Sequence, residues 1–437
     1  MDKVKRESTI DYSYLRRKKA EHLQHLHETF LHKDEKLTAS AYQNATVLPL
    51  KKFEGDESCF GRGGVVDRNG EYIAQSALQG FVEKEYPFEN PVTCDRKVVF
   101  CGCFIRQWGH FLLQSVARLW YFLKNDDTVD SYVFFVAEGE NTAIGGNYRE
   151  FLELLGVFDR VEIINTPTTY REVVIPELSF AKQDFYTDEY LTVFDKVVSN
   201  IGFDPSWKKY DKVFFTRSYF KKALKTEIGL QIMDDYFERN GYRIVAPEKL
   251  SVREMIYLIR NAKDSAFVSG TAPHNMLFAA PGQHCTILER GAHNNDFQTG
   301  VNSARALSVT YIDANFYIYI VNASFGPFLL SYHGMLEKYT QDHGLLPPDP
   351  RYTSEKYMKK QLASYLDRYK QYYYLQIYME KWLLGNLDHR YEAYVDTLRY
   401  LGKYLNGSVP YRVSQYFTVV HMKKCVDRWL RRIHRVG

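Results

Sequence analysis

The chain has 437 residues, 45% of them hydrophobic and 25% charged, with a formal net charge of +4. That length exceeds one ordinary core and sets two domains as the expectation. The composition is that of a globular protein, and the mild charge excludes little but does not suggest a dedicated nucleic-acid binder, in which one face would be densely basic.

Its six cysteines are scattered, without a disulfide framework or a zinc spacing, so a reducing compartment is expected. The first residues carry charges where a signal peptide needs an apolar core. No run reaches the roughly 20 uninterrupted apolar residues that span a bilayer. Ala314–Tyr332 comes nearest and is broken by Asn315, Asn322, Gly326 and Pro327. The reading is a cytoplasmic protein, in contact at most with the inner face of the plasma membrane.

Residues 1–45 are charged, with a helical pattern, and are expected as a peripheral helical extension. His22, His25 and His32 read there as a solvated face, since no carboxylate arrangement partners them as metal ligands. Residues 46–205 form a first α/β unit. Asn69-Gly70 separates two strand-like runs, a hairpin cue. Strands at 97–102, 131–138 and 161–166 then alternate with helical patterns at 106–123 and 148–156. A linker around Ile201–Lys209 leads to a second unit, 206–345, with apolar runs at Val213–Phe215, Ile244–Ala246, Ala266–Val268 and Thr286–Leu288. Two such series predict two Rossmann-like domains. From 346 to 437 Tyr-rich helical patterns take over. Near the end Lys423, Lys424, Arg431, Arg432 and Arg435 surround Val426, Leu430 and Ile433, which suits an anionic membrane surface or packing on the same domain.

Ligands of open α/β sheets bind outside the carboxyl ends of the strands, and three groups of polar residues gather there. His110 opens the 106–123 helix, where the dipole disfavours imidazolium and leaves a neutral base. Gln114 and Arg118 follow at spacings of four, and with Arg106 are candidates for the acceptor side of a cleft. Arg217 ends the strand Phe214-Phe215-Thr216, where a guanidinium can hold a diphosphate with two parallel hydrogen bonds. Lys221, Lys222 and Lys225 beyond it read as a solvated loop. Ser269-Gly270-Thr271 then runs into a short helix with Pro273 in its first turn, so backbone N–H groups meet phosphate oxygens there. His274 and Asn275 are placed to contact base, ribose or phosphate, and Glu289, ending the next strand, to bind ribose hydroxyls. No Asp-x-Asp triplet occurs, so arginine, lysine and helix starts are left to stabilise a diphosphate leaving group without a metal.

The string GHFLLQSVARLW resembles the N-terminal motif of glycosyltransferase family 61. FFTR, RIVAPEKLSVREMIYLIRNA and FVSGTAPHNMLFAAPGQHCTILER resemble that family's later motifs in order and spacing, over about residues 60–330. The resemblance implies a GT-B fold, two Rossmann-like domains facing a cleft, and inversion at the anomeric carbon. It also implies a nucleotide-sugar donor, commonly a UDP-sugar, with neither metal nor cofactor, and a role in capsular or surface polysaccharide synthesis on a glycan or lipid-linked acceptor. It marks His110 as the base, Arg217 as the phosphate cation, Glu254 as the family's acidic position and Asn275 as its nucleotide-loop asparagine. The family's His-Gly-Ala-Gly loop is replaced by Ser269-Gly270-Thr271-Ala272-Pro273, which lacks the histidine and one N–H donor. The alternatives are a pyruvyl-type transferase of the same fold and a non-catalytic scaffold of envelope glycan assembly.

Overall fold

The computed structural model describes residues 7–56, 60–291, 295–316, 327–332, 334–354, 356–358, 360–365 and 368. In chain order these give β1 (Thr9–Tyr14), α1 (Arg17–Thr29), β2 (Leu31–Lys33), β3 (Ala39–Lys51), β4 (Arg62–Val66), β5 (Val92–Cys103), α2 (Trp108–Leu113), β6 (Ser131–Phe135), α3 (Gly146–Leu155), β7 (Val161–Ile164), β8 (Thr168–Pro176), β9 (Phe180–Ala181), β10 (Phe185–Thr187) and α4 (Asp188–Ser199). The later elements are β11 (Lys212–Phe215), α5 (Lys221–Thr226), β12 (Glu227–Ile228), α6 (Leu230–Arg239), β13 (Arg243–Val245), α7 (Val252–Asn261), β14 (Asp264–Val268), β15 (His284–Glu289), α8 (Gln298–Ala304), β16 (Ser308–Asp313), β17 (Phe328–Leu329), α9 (Met335–Asp342) and α10 (Pro350–Thr353).

The fold is mixed α/β, with two six-stranded sheets. The first has the order β4-β3-β8-β5-β6-β7, with β8, β5, β6 and β7 parallel and β3 antiparallel to both its neighbours. The second, β1-β16-β15-β14-β11-β13, is parallel throughout. The apolar runs at 213, 266 and 286 are inner strands, buried as a parallel sheet requires, while the run at 244 is the edge strand β13 and only partly buried. Helices lie between the sheets. One apolar cluster runs from Val99 and Phe134 through Phe151, Phe194 and Phe278 to Val213 and Phe267. Phe278 packs its ring 5.4 Å from Phe194 and 6.2 Å from Phe151.

Several elements differ from expectation. Over the described residues 7–45 the chain is not a single peripheral helix: β1 extends the second sheet by pairing with β16, and β3 starts at Ala39. Helical periodicity marks α1 alone, because a short edge strand such as TIDYSY has no helical period to read. The helix expected over 106–123 is six residues of α2 followed by a 3-10 stretch, Ser115–Lys124. The hairpin at Asn69-Gly70 is present, with Gly70 at φ +85° and Asp67 accepting from the backbone of Asn69 and Glu71. Most of the 346–437 region, including its basic end, lies outside the described residues. Among those that are described, no helix is long and apolar enough to cross a membrane.

Candidate active site

In the second sheet the chain moves from β11 outward to β13, then returns to β14 on the other side of β11. The crevice between the carboxyl ends of β11 and β14 is therefore the topological switch point, where ligands of such sheets bind. Arg217 leaves one lip and Ser269-Gly270-Thr271 the other.

Gly270 has φ +144°, a backbone state that L side chains rarely adopt. A Cβ there would stand 3.3 Å from Arg290 Nη2 and 3.5 Å from Arg217 Nη1, so two guanidinium groups face its backbone. Both are held from behind by Glu227, whose side chain is fully buried. Arg217 donates from Nε to both carboxylate oxygens, at 3.0 and 2.9 Å, and from Nη2 at 2.7 Å, while Arg290 donates from Nη1. Two cations share one carboxylate, which leaves excess positive charge facing Gly270. Burial lowers the Arg290 pKa and Glu227 opposes that. Asp234 of α6 fixes the turn carrying Arg217 by accepting from Thr216 Oγ1 and Ser218 Oγ, each at 2.5 Å.

Beside this lip, at the carboxyl end of β13, lies a cavity of about 520 Å³ lined by Trp207, Tyr219, Ala246, Lys249, Glu254 and Tyr257, among others. Lys249 Nζ sits 4.1 Å above the Tyr219 ring. Glu254 reaches this wall while also capping α7, accepting from Ser251 N and Oγ at 3.0 Å.

The motif at 106–123 and the loop at 269–275 meet directly. Trp108 Nε1 donates to Asn275 Oδ1 at 2.8 Å, and Gly109 packs so closely that a Cβ would lie 2.8 Å from His274 Cδ2 and 2.9 Å from Thr271 Cγ2. His110 is in the first turn of α2, half-buried, with its ring edge-on to Phe297 at 5.9 Å. Burial lowers its pKa, and Lys182 adds to this against the hydrogen bond to Gln114, so the ring is neutral. Gln114 donates its Nε2 to Gln79 O at 3.3 Å, which turns its Oε1 toward His110 Nδ1 at 2.5 Å. Nδ1 then carries the proton, and Nε2 is left as an unprotonated base.

Other expected site residues are placed differently. Arg118 is not on a cleft: it is 1% exposed, donating to Pro176 O and Gln75 O at 2.9 and 2.7 Å, and burial lowers its pKa to about 10. A spacing of four predicts one helix face, but the change to a 3-10 helix turns Arg118 inward. Arg106 is exposed and donates to Asn141 O at 2.6 Å, while Gln114 acts on His110 and lines no open surface. His274 and Asn275 do not face an opening. They are buried between the two halves, His274 against Gln298 at 2.9 Å and Asn275 against Trp108 and Ala272 O. Burial lowers the His274 pKa to about 4. Ser269 is buried and touches Glu289, itself 1% exposed, and burial raises the Glu289 pKa to about 7, with Lys19 opposing. Gly270 and Thr271 remain accessible. Glu227 is the residue sequence reasoning missed, and Arg290, which sequence places among the polar residues at the strand ends, was given no role there.

Among the described residues, no three of His, Cys, Asp and Glu gather as a metal-ligand set. A half-buried arginine pair at a sheet switch point, in a molecule that also holds a neutral histidine on α2, fits a group-transfer enzyme. The family model described as Glycosyltransferase 61 matches residues 108–288. Over those residues the chain is similar to that family, and the match spans both α2 and the Gly270 loop. No curated protein matches it.

Proposed function

We propose that the protein is an inverting, metal-independent transferase of GT-B type, moving a sugar from a nucleotide diphosphate-sugar, in the first instance a UDP-sugar, to a glycan or lipid-linked glycan acceptor. In this reading His110 Nε2 takes the proton from the acceptor hydroxyl as it attacks the anomeric carbon. The bond to the diphosphate breaks on the opposite side, and Arg217, Arg290 and the Gly270 backbone take up the charge that develops. The nucleoside would occupy the 520 Å³ cavity beside Glu254. That cavity and Gly270 sit at β13 and β14, two strand spacings apart, or about 10 Å, which suits a nucleoside joined to its phosphates. Surface or capsular polysaccharide synthesis at the cytoplasmic side of a membrane is the proposed setting.

The observation that carries this reading is the pair of guanidinium groups on Glu227 turned toward Gly270. Incubation with nucleotide sugars and a glycan acceptor, followed by release of nucleoside diphosphate, tests it. His110→Ala is expected to lower kcat about 100-fold or more with the donor KM unchanged. An unchanged rate would remove His110 from the mechanism.

A further inference from the structure

A second cavity, of about 460 Å³, lies between β1, α1, β10 and the last turn of α8. Its wall contains the rings of Tyr12, Phe30 and Tyr186 and the carboxylates of Glu7 and Glu28, and no described lysine or arginine lines it. His27, also in the wall, is kept neutral by burial, which lowers its pKa to about 4, and its ring nitrogens lie 3.3 and 3.4 Å from Ser303 Oγ and Asn302 Nδ2. His32 turns its nitrogens to Asp34 and Asp188 at 3.0 and 3.1 Å. Burial and then the charge of Glu28 raise the Tyr12 pKa to about 12, so its hydroxyl stays a donor.

Acceptor oxygens, apolar rings and negative charge together reject an anion and suit a ligand rich in hydroxyl donors with exposed C–H faces. Position adds to the chemistry. Phe297, at the start of α8, packs on His110, while Ser303 in its last turn borders the cavity. Six residues of helix separate them, about 9 Å at 1.5 Å per residue, a span that a short oligosaccharide covers.

We propose that this cavity is a second carbohydrate-binding site, holding an uncharged or amino-substituted stretch of glycan at a distance from the transfer point. That the glycan is the acceptor rests on the glycosyltransferase reading; that the cavity binds glycan does not. The full chain is tested on a glycan array carrying neutral, amino-substituted and uronic-acid or phosphate-bearing oligosaccharides, and the best binder is measured by calorimetry. Neutral or amino-substituted members should bind, acidic ones should not, and Tyr12→Ala and the near-isosteric Glu28→Gln should each weaken binding at least tenfold with unchanged thermal melts. Failure of every array member to bind, equal binding of acidic members, or undiminished affinity in Glu28→Gln overturns the proposal. UDP calorimetry on the same variants should be unchanged. Wild-type protein that binds glycan but none of UDP, GDP and CDP would sink the donor reading and leave this one standing.

Discussion

Glu227 is the residue on which the arginine pair turns. Without it, two guanidinium groups at one backbone glycine would repel each other. With it, each is fixed in orientation and one unit of positive charge remains for a ligand. Charge-assisted hydrogen bonds of this kind contribute about 1.5–3 kcal/mol each, enough for one arginine to change affinity by tenfold or more. Glu289 shows the opposite situation, a carboxyl 1% exposed with one oxygen unpartnered. Its folded pKa of about 7 lies above the roughly 4.3 of an unfolded chain. The folded state therefore holds this proton more tightly. The stability Glu289 contributes is present below about pH 4 and is lost as pH rises to about 7. Glu289→Gln should raise the Tm at pH 8 relative to the wild type and leave it nearly unchanged at pH 4. Equal melting shifts at both pH values would show that Glu289 ionises freely.

At the scale of elements, the contact between α2 and the 3-10 turn Ala272–Phe278 couples the two motifs. Gly109 makes that contact possible, because any Cβ would overlap His274 and Thr271. Gly109→Ala is expected to cost about 1–3 kcal/mol, the usual range for overpacking, and to lower turnover by shifting His110. A melt and an activity assay indistinguishable from wild type would show the turn to be compliant. The inner parallel strands were legible in sequence, since VFF, AFV and TIL are apolar runs bounded by polar strand ends. So was the placement of His110 in a helix's first turn. Arg118 was misread because periodicity cannot see a helix tighten into 3-10 geometry. His274 and Asn275 were read as ligand contacts because sequence cannot show that α2 covers them. Glu227 was invisible for a different reason: its partners, Arg217 and Arg290, lie 10 and 63 residues away.

Over the whole molecule, the sheets are joined by one apolar core in which Phe151, Phe194 and Phe278 meet. Further ties cross the same boundary. Glu150 of α3 accepts from Val252 N and Arg253 N at 2.8 and 3.1 Å, capping α7 of the other half. β1 and α1 wrap back onto the second sheet, where Lys19 Nζ lies 3.0 Å from Asp313 Oδ1. The matched family region, 108–288, stops short of Arg290 and excludes this N-terminal arm. The arginine pair, His110 and the N-terminal arm thus belong to one packed molecule around the two sheets.

The most direct measurement is calorimetric titration of the wild-type chain, Arg290→Gln and Gly270→Ala with UDP, GDP and CDP. The account predicts that at least one nucleoside diphosphate binds the wild type and that each substitution weakens it tenfold or more, while the melting curve of Arg290→Gln still shows a folded protein. Binding of equal strength in all three proteins, or none to the wild type, would contradict it.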